Sequence, residues 1–183
     1  MKPLTTGRLT LRNWEDRDRD LFERINADDR VMEFFPFRRD RRQSDELMDR
    51  LRDGIAADGF GFAAAEIAAT GETIGFVGIA RTGDLQPHLP SGAVEIGWRL
   101  APEFWGQGYV TEAAGGWLRF GFERLDLGEI WSFAVWNNYR SLAVMRRLGM
   151  RRVGAFDHPS VPPSHPQLAR HELYRLARAD WRP

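Results

Sequence analysis

Pro102-Glu103-Phe104-Trp105-Gly106-Gln107-Gly108-Tyr109-Val110-Thr111-Glu112-Ala113 is the stretch on which the fold turns. It follows a strand-like run, Val94 to Leu100, and opens a helix-like run, Thr111 to Leu125. A strand, a Gly-x-Gly turn and a helix in that order build an anion site. Glycine lets the backbone come close to a ligand. The N–H groups of a first helical turn have no intrahelical partners, and with the helix dipole behind them they point at negative charge. A phosphate-bearing cofactor is therefore expected at this turn. A Rossmann fingerprint fits only in part, because position 111 is Thr where Gly or Ala belongs. A Walker loop needs a lysine, and the chain has one, Lys2, far from the turn. By itself the turn also fits a left-handed bend that binds nothing.

A second motif lies downstream. Ile130-Trp131-Ser132-Phe133-Ala134-Val135 reads as a buried strand that stops at Trp136-Asn137-Asn138. A helix pattern follows, with Ser141, Leu142, Val144, Met145 and Leu148 on one stripe and Gly149 as its C′ residue. The pattern is Asn138-x-x-Ser141-x-x-x-Met145-x-x-Leu148-Gly149-Met150.

Together the two motifs resemble the GNAT superfamily of N-acetyltransferases. The turn is similar to that family's Gln/Arg-x-x-Gly-x-Gly/Ala loop, with Glu103 in the first place. The second motif is similar to its Asn-x-x-Ala/Ser…Leu-Gly-Phe element, with Met150 for Phe. The branch most resembled is the RimJ/RimL-like group of ribosomal-protein N-acetyltransferases. Its features follow in order: Thr6-Gly7-Arg8-Leu9-Thr10-Leu11-Arg12, then Glu95-Ile96-Gly97-Trp98, then the Pro102 to Gly106 turn, then Asn138 and Ser141. The resemblance implies an α/β (α+β) fold. Its mixed central sheet would have about seven strands, splayed after the fourth, with helices on both faces.

Composition is consistent with one domain over residues 1–183. Acidic and basic residues number 26 each, so the net charge is zero. That argues against direct nucleic-acid binding and against a membrane surface. There is no cysteine, which excludes an acyl-cysteine intermediate, disulfides and thiolate metal sites. No signal-peptide core is present and no apolar run approaches ~20 residues, so a soluble, cytoplasmic protein is expected. The coarse pattern is a strand at Leu9–Arg12 and helices over 18–29 and 44–58, the second opening at Ser44-Asp45-Glu46. Two strands over 59–69 and 73–80 are joined by a hairpin at Thr70-Gly71-Glu72, and a loop spans 82–92. The last two strands, 153–156 and 172–177, flank a loop containing Pro159, Pro162, Pro163 and Pro166.

The resemblance assigns cofactor roles by position. Acetyl-CoA is the implied co-substrate, with no metal. The pantetheine arm would pair with the backbone of Trp98, Arg99 and Leu100. The pyrophosphate would sit on the N–H groups of Gln107, Gly108, Tyr109, Val110 and Thr111, beyond Gly106. Asn138 would bond the pantetheine amides, and it also reads as a plain helix N-cap. Gly106 and Gly108 are expected not to tolerate a Cβ.

Attack on a thioester needs a neutral amine. An α-amine with pKa ~7.8 is neutral roughly a tenth of the time at pH 7, and a lysine amine with pKa ~10.4 under one part in a thousand. Glu95 is the candidate base, acting through one water, because family members often carry a glutamate on this strand. It also reads as a solvated strand carboxylate. Many members place a Tyr seven residues after the Asn to protonate the leaving thiolate, and Met145 stands there. The resembled branch has a Ser at the earlier position, which Ser141 matches. Ser141 also reads as a cap of the helical turn.

The histidines at 158, 165 and 171 match no ligand spacing. His158 and His165 are candidates for acceptor contact, as is the cluster Phe34-Phe35-Pro36-Phe37. The arginines at 38, 39, 41 and 42 are read as a solvated face able to attract an acidic acceptor. The expected activity is direct acetyl transfer to a primary amine, favouring a protein or peptide N-terminal α-amine. Alternatives are a small-molecule amine (antibiotic, polyamine or amino acid) and a non-catalytic acyl-CoA-binding module. A monomer or homodimer is expected.

Overall fold

Thr70-Gly71 between two apolar runs makes a hairpin, and the sheet extends to either side of it. The computed structural model describes residues 1–83 and 85–182. Asp84, inside the expected 82–92 loop, and Pro183 lie outside the described residues. The strands are β1 (Leu4–Thr5), β2 (Leu9–Arg12), β3 (Phe62–Ile67), β4 (Thr73–Arg81), β5 (Val94–Leu100), β6 (Glu129–Val135), β7 (Arg151–Asp157) and β8 (Arg170–Ala177). The helices are α1 (Arg19–Ala27), α2 (Arg41–Asp58), α3 (Tyr109–Glu123) and α4 (Tyr139–Arg147).

One sheet runs β1-β2-β3-β4-β5-β6-β8-β7. All neighbours are antiparallel except β5 and β6. The eighth strand is the two-residue β1, so the splay expected after the fourth strand falls after β5, the same Val94–Leu100 run. Along the whole of β5 the ladder to β4 is continuous, from Arg81↔Val94 to Gly75↔Leu100. Toward β6, among the described residues, the only pair is Glu95↔Trp131. Beyond it the strands diverge, and Ser132 Oγ donates to the Ile96 carbonyl at 2.9 Å.

Helices cover both faces. Phe76 of β4 meets Phe22 of α1, with ring centroids 6.3 Å apart. Ile79, three residues on and therefore on the other face, lies beside Gly121 of α3. The main core joins Leu9, Leu11, Ile25, Ile74, Ile96, Trp117 and Phe122. A second core of Leu85, Leu89, Trp131, Phe156 and Leu173 lies on the far half of the sheet. The main core continues past the splay through Ile130, Ala134, Tyr174 and Leu176, and the second core takes the alternate positions Trp131 and Leu173 on the opposite face of the same strands.

Two helix starts differ from the sequence reading. α2 begins at Arg41, because Asp40 accepts from the Gln43 N–H and Gln43 reaches back to the Asp40 N–H, a capping box. Ser44 is buried inside the helix instead of opening it. α3 begins at Tyr109, two residues before Thr111, with Gly108 as its N-cap.

Candidate active site

The turn after β5 is built by three local devices. Pro102 starts a single 3-10 turn, whose end is marked by Trp105 N–H donating to the Pro102 carbonyl at 3.1 Å. The Trp105 indole then donates to the Leu100 carbonyl at 2.8 Å. Gly106 and Gly108 take φ of 74° and 81°, left-handed values that cost an L-residue roughly 1–2 kcal/mol. A Cβ on Gly106 would meet nothing within 4 Å, and one on Gly108 only Arg8 Nη2 at 3.5 Å. The glycines are required by backbone conformation, not by space.

Among the described residues, none of the amides of Gln107, Gly108, Tyr109, Val110 and Thr111 donates to another group of the chain. Five neighbouring free donors at a helix start suit an anion. Arg8, which the sequence reading placed in the opening motif without a role at the site, stands beside them. Its Nη1 donates to the Gln107 carbonyl at 3.1 Å, and its guanidinium lies 4.5 Å from the Tyr109 ring centroid. Glu112 fixes it: Arg8 Nε, Arg8 N–H and the Thr6 hydroxyl each donate to that carboxylate at 2.6 Å. Burial works against the Glu112 charge, but the bonds from Thr6 and Arg8 prevail and hold its pKa below the usual value.

The β5 edge at Trp98, Arg99 and Leu100 has no ladder partner on the β6 side. Of the three, Leu100 has its carbonyl occupied by Trp105. Across the splay, Asn138 caps α4 by accepting from the Ser141 N–H at 3.2 Å. Its amide nitrogen has no partner among the described residues, so the cap leaves its donors available. The cap belongs to Asn138, and the half-buried Ser141 hydroxyl makes no bond among the described residues. Met145 is buried in the core below it.

Glu95 sits where the splay begins. It has neither an ion-pair nor a hydrogen-bond partner among the described residues, and burial pushes its carboxyl up to about 7. Gly97 and Arg99 alternate onto the same strand face as Glu95, the face shared with Phe76 and α1.

A cleft of ≈ 480 Å³ connects to this face through Phe35, whose ring meets the Arg99 guanidinium. Phe34, Phe35, Pro36 and Phe37 line one wall, and Asn137, His165, Gln167 and Leu168 the other. Two of the three acceptor candidates named from sequence, the aromatic cluster and His165, thus face one space. His158 is elsewhere. Its ring is 5.0 Å from that of His171 and packs on Phe133 and Phe156. Burial, with His171 adding to it, pushes His158 down to about 4, so it is a neutral member of a packed cluster. The aromatic wall is tethered to α4 by Arg140, which bonds Glu33 at 2.8 Å and lies 4.5 Å from the Trp105 ring centroid. Asn137 Oδ1 is buried with no hydrogen-bond partner among the described residues, an acceptor left over at the cleft.

An open sheet split at one parallel pair, with free amides at the following helix start, is the arrangement that the sequence resemblance implied. The family described as "Acetyltransferase (GNAT) domain" matches residues 8–151, and the chain belongs to it. The uncharacterized protein YkkB of Bacillus subtilis is 32% identical over 148 residues, 80% of this chain and 84% of that protein. The FsC-acetyl coenzyme A-N(2)-transacetylase of Aspergillus fumigatus is 29% identical over 185 residues, 97% of this chain and 77% of that enzyme. A GNAT-family acetyltransferase structure from Bacillus anthracis superposes with a TM-score of 0.81 at 21% identity, covering 97% of this chain and 99% of that one. The family's co-substrate is acetyl-CoA, and no helix among the described residues is long and apolar enough to cross a membrane.

Proposed function

We propose that this protein moves acetyl from acetyl-CoA directly to a primary amine, and that the preferred acceptor is the N-terminal α-amine of a protein or peptide, as in the RimJ/RimL-like branch. Bound acetyl-CoA supplies an activated acyl group in its thioester. The free amides of Gln107 to Thr111, reached through Gly106 and backed by Arg8, suit its pyrophosphate. The β5 edge at Trp98, Arg99 and Leu100, with Asn138 opposite, suits the pantetheine amides.

Glu95 carries this reading. It takes a proton from the acceptor ammonium through one water, and its environment matches that task. With the carboxyl at about 7, accepting a proton from an α-ammonium of pKa ~7.8 is uphill by about 1 kcal/mol, and from a lysine ammonium of pKa ~10.4 by about 5 kcal/mol. The difference favours α-amines. Ser141 donates its unpaired hydroxyl to the leaving sulfur, a task Met145 has no proton for. Asn137 Oδ1 accepts from an acceptor N–H in the cleft. With no cysteine in the chain, transfer is direct.

A small-molecule acceptor is the second reading. The Aspergillus relative favours it, since its name places the transfer on an N(2) nitrogen. Release of CoA thiol from acetyl-CoA, measured with small amines and with peptides bearing free or blocked N-termini, tests both. Release with free N-termini and little with blocked, lysine-bearing peptides is expected. Release with small amines alone would select the second reading, and CoA binding without release for any amine would leave a binding module.

A further inference from the structure

Arginine is this chain's main cation, and of the five arginines that are not exposed among the described residues, three, Arg12, Arg19 and Arg52, are matched by acids. Arg12 bonds Asp18 and Glu66, and Arg19 bonds Asp16, Asp45 and Asp49. Two break the pattern. Among the described residues, Arg39 and Arg99 are half-buried and have no carboxylate partner. Both lie against the aromatic wall of the cleft. The Arg99 guanidinium is 4.5 Å from the Phe35 ring centroid and 5.3 Å from that of Phe76. The Arg39 guanidinium is 4.4 Å from the centroid of Phe37, whose ring is 6.1 Å from that of Phe35.

Arg99 has five N–H donors, and among the described residues one of them is used, by Nη1 to Asn26 Oδ1. Stacking on rings is worth roughly 0.5–2 kcal/mol per cation. Withdrawing an ion from water costs several kcal/mol, about as much as an opposite charge with good hydrogen bonds returns. Stacking alone does not balance that cost for two neighbouring cations. Burial, and the charge of Arg39, push Arg99 down to about 9. A bound anion would relieve both effects. The recess is not the phosphate site: it opens on the α1 face of β5, and α3 packs on the other.

We propose that Arg99, with Arg39, receives a carboxylate on the acceptor, so that this enzyme selects amines that carry an acid several bonds away. The inference rests on the acetyl-transfer reading above. Glu95 and Arg99 share one strand face, with Cα atoms about 13 Å apart at ~3.3 Å per residue. An extended acceptor whose amine lies at Glu95 and whose acid points along β5 reaches both. The carboxylate has two sources, an acidic side chain near a peptide N-terminus or a small amino acid derivative.

The test compares matched acceptors whose α-amines differ little: glutamic acid α-amide against glutamine α-amide, and amidated peptides with Glu or Gln as second residue. The wild type is expected to favour the acid member in at least one pair by about tenfold or more in kcat/KM, mostly through KM. The pair showing the preference identifies the source. Arg99→Gln is expected to bring that ratio close to one, and Arg39→Gln to lower it in part, with a CoA-induced thermal shift verifying that each variant is folded. Equal rates for acid and amide in both pairs of the wild type would overturn the inference and leave acetyl transfer standing. A preference that survives both substitutions would also overturn it, by placing the anion elsewhere. Acetylation of no member, with CoA bound, would refute the transfer reading and this inference with it.

Discussion

Replacing Glu95 by Gln gives a pH signature that follows from the structure. The carboxyl is raised from 4.5 to about 7 by burial. In the wild type, transfer requires ionised Glu95 and a bound ammonium. In Glu95→Gln it requires an amine already neutral. The ratio of the two rates is therefore flat below pH ~7, since each tenfold loss of ionised Glu95 is offset by a tenfold loss of free amine. Above pH ~7 the ratio falls toward one by roughly tenfold per unit, as neutral amine becomes plentiful. A plateau of about a hundredfold is expected for a positioned base. Thiol release against pH for both proteins, at saturating acetyl-CoA, measures it. The same shift has a stability consequence. A carboxyl whose folded pKa is raised opposes folding once ionised. The wild type thus loses stability as pH rises from 4.5 to about 7, by at most about 3 kcal/mol, and the variant does not. Denaturation at pH 5 and pH 8 should show the variant gaining only at pH 8. A rate ratio independent of pH would refute the assignment, and a pH-independent stability difference would refute the shifted carboxyl beneath it.

Three further outcomes are expected. Gly108→Val should abolish CoA binding by calorimetry while the circular dichroism spectrum persists, because a β-branched residue at φ 81° displaces the free amides. Ser141→Ala should slow turnover about tenfold with little change in melting, whereas Asn138→Ala should lose about 1 kcal/mol of stability as well as CoA affinity. Arg8→Ala should weaken CoA binding most at low salt, with Glu112 keeping only the Thr6 hydroxyl and the backbone N–H of position 8, and a salt-independent loss would point to a purely structural role.

The motifs that carry φ or cap requirements were legible in the sequence. Gly106, Gly108 and Gly149 all take left-handed φ where the patterns placed them, and Asn138 caps α4. The start of α2 was misread because Ser44-x-Glu46 resembles a cap. The true signal, Asp40-x-x-Gln43, lay four residues earlier. Contacts made through tertiary register were not legible. Arg8 reaches Glu112 across 104 positions, and no local pattern couples them. His158 and His171 meet because β7 and β8 pair Asp157 with Arg170, which removes His158 from the cleft and leaves His165 beside it. Arg99 was placed on the cofactor strand for its backbone. Only strand alternation together with Phe35 and Phe76 reveals where its guanidinium lies.

The central claim is direct, amine-dependent transfer, and a single-turnover experiment tests it. Acetyl-CoA is mixed with excess protein, first without and then with an N-terminal peptide, and free CoA thiol and acetylated peptide are followed together. The account predicts no CoA release before the peptide is added, then release and peptide acetylation in equal amounts at equal rates. A burst of CoA without the peptide, or no release with any amine while CoA remains bound, would contradict it.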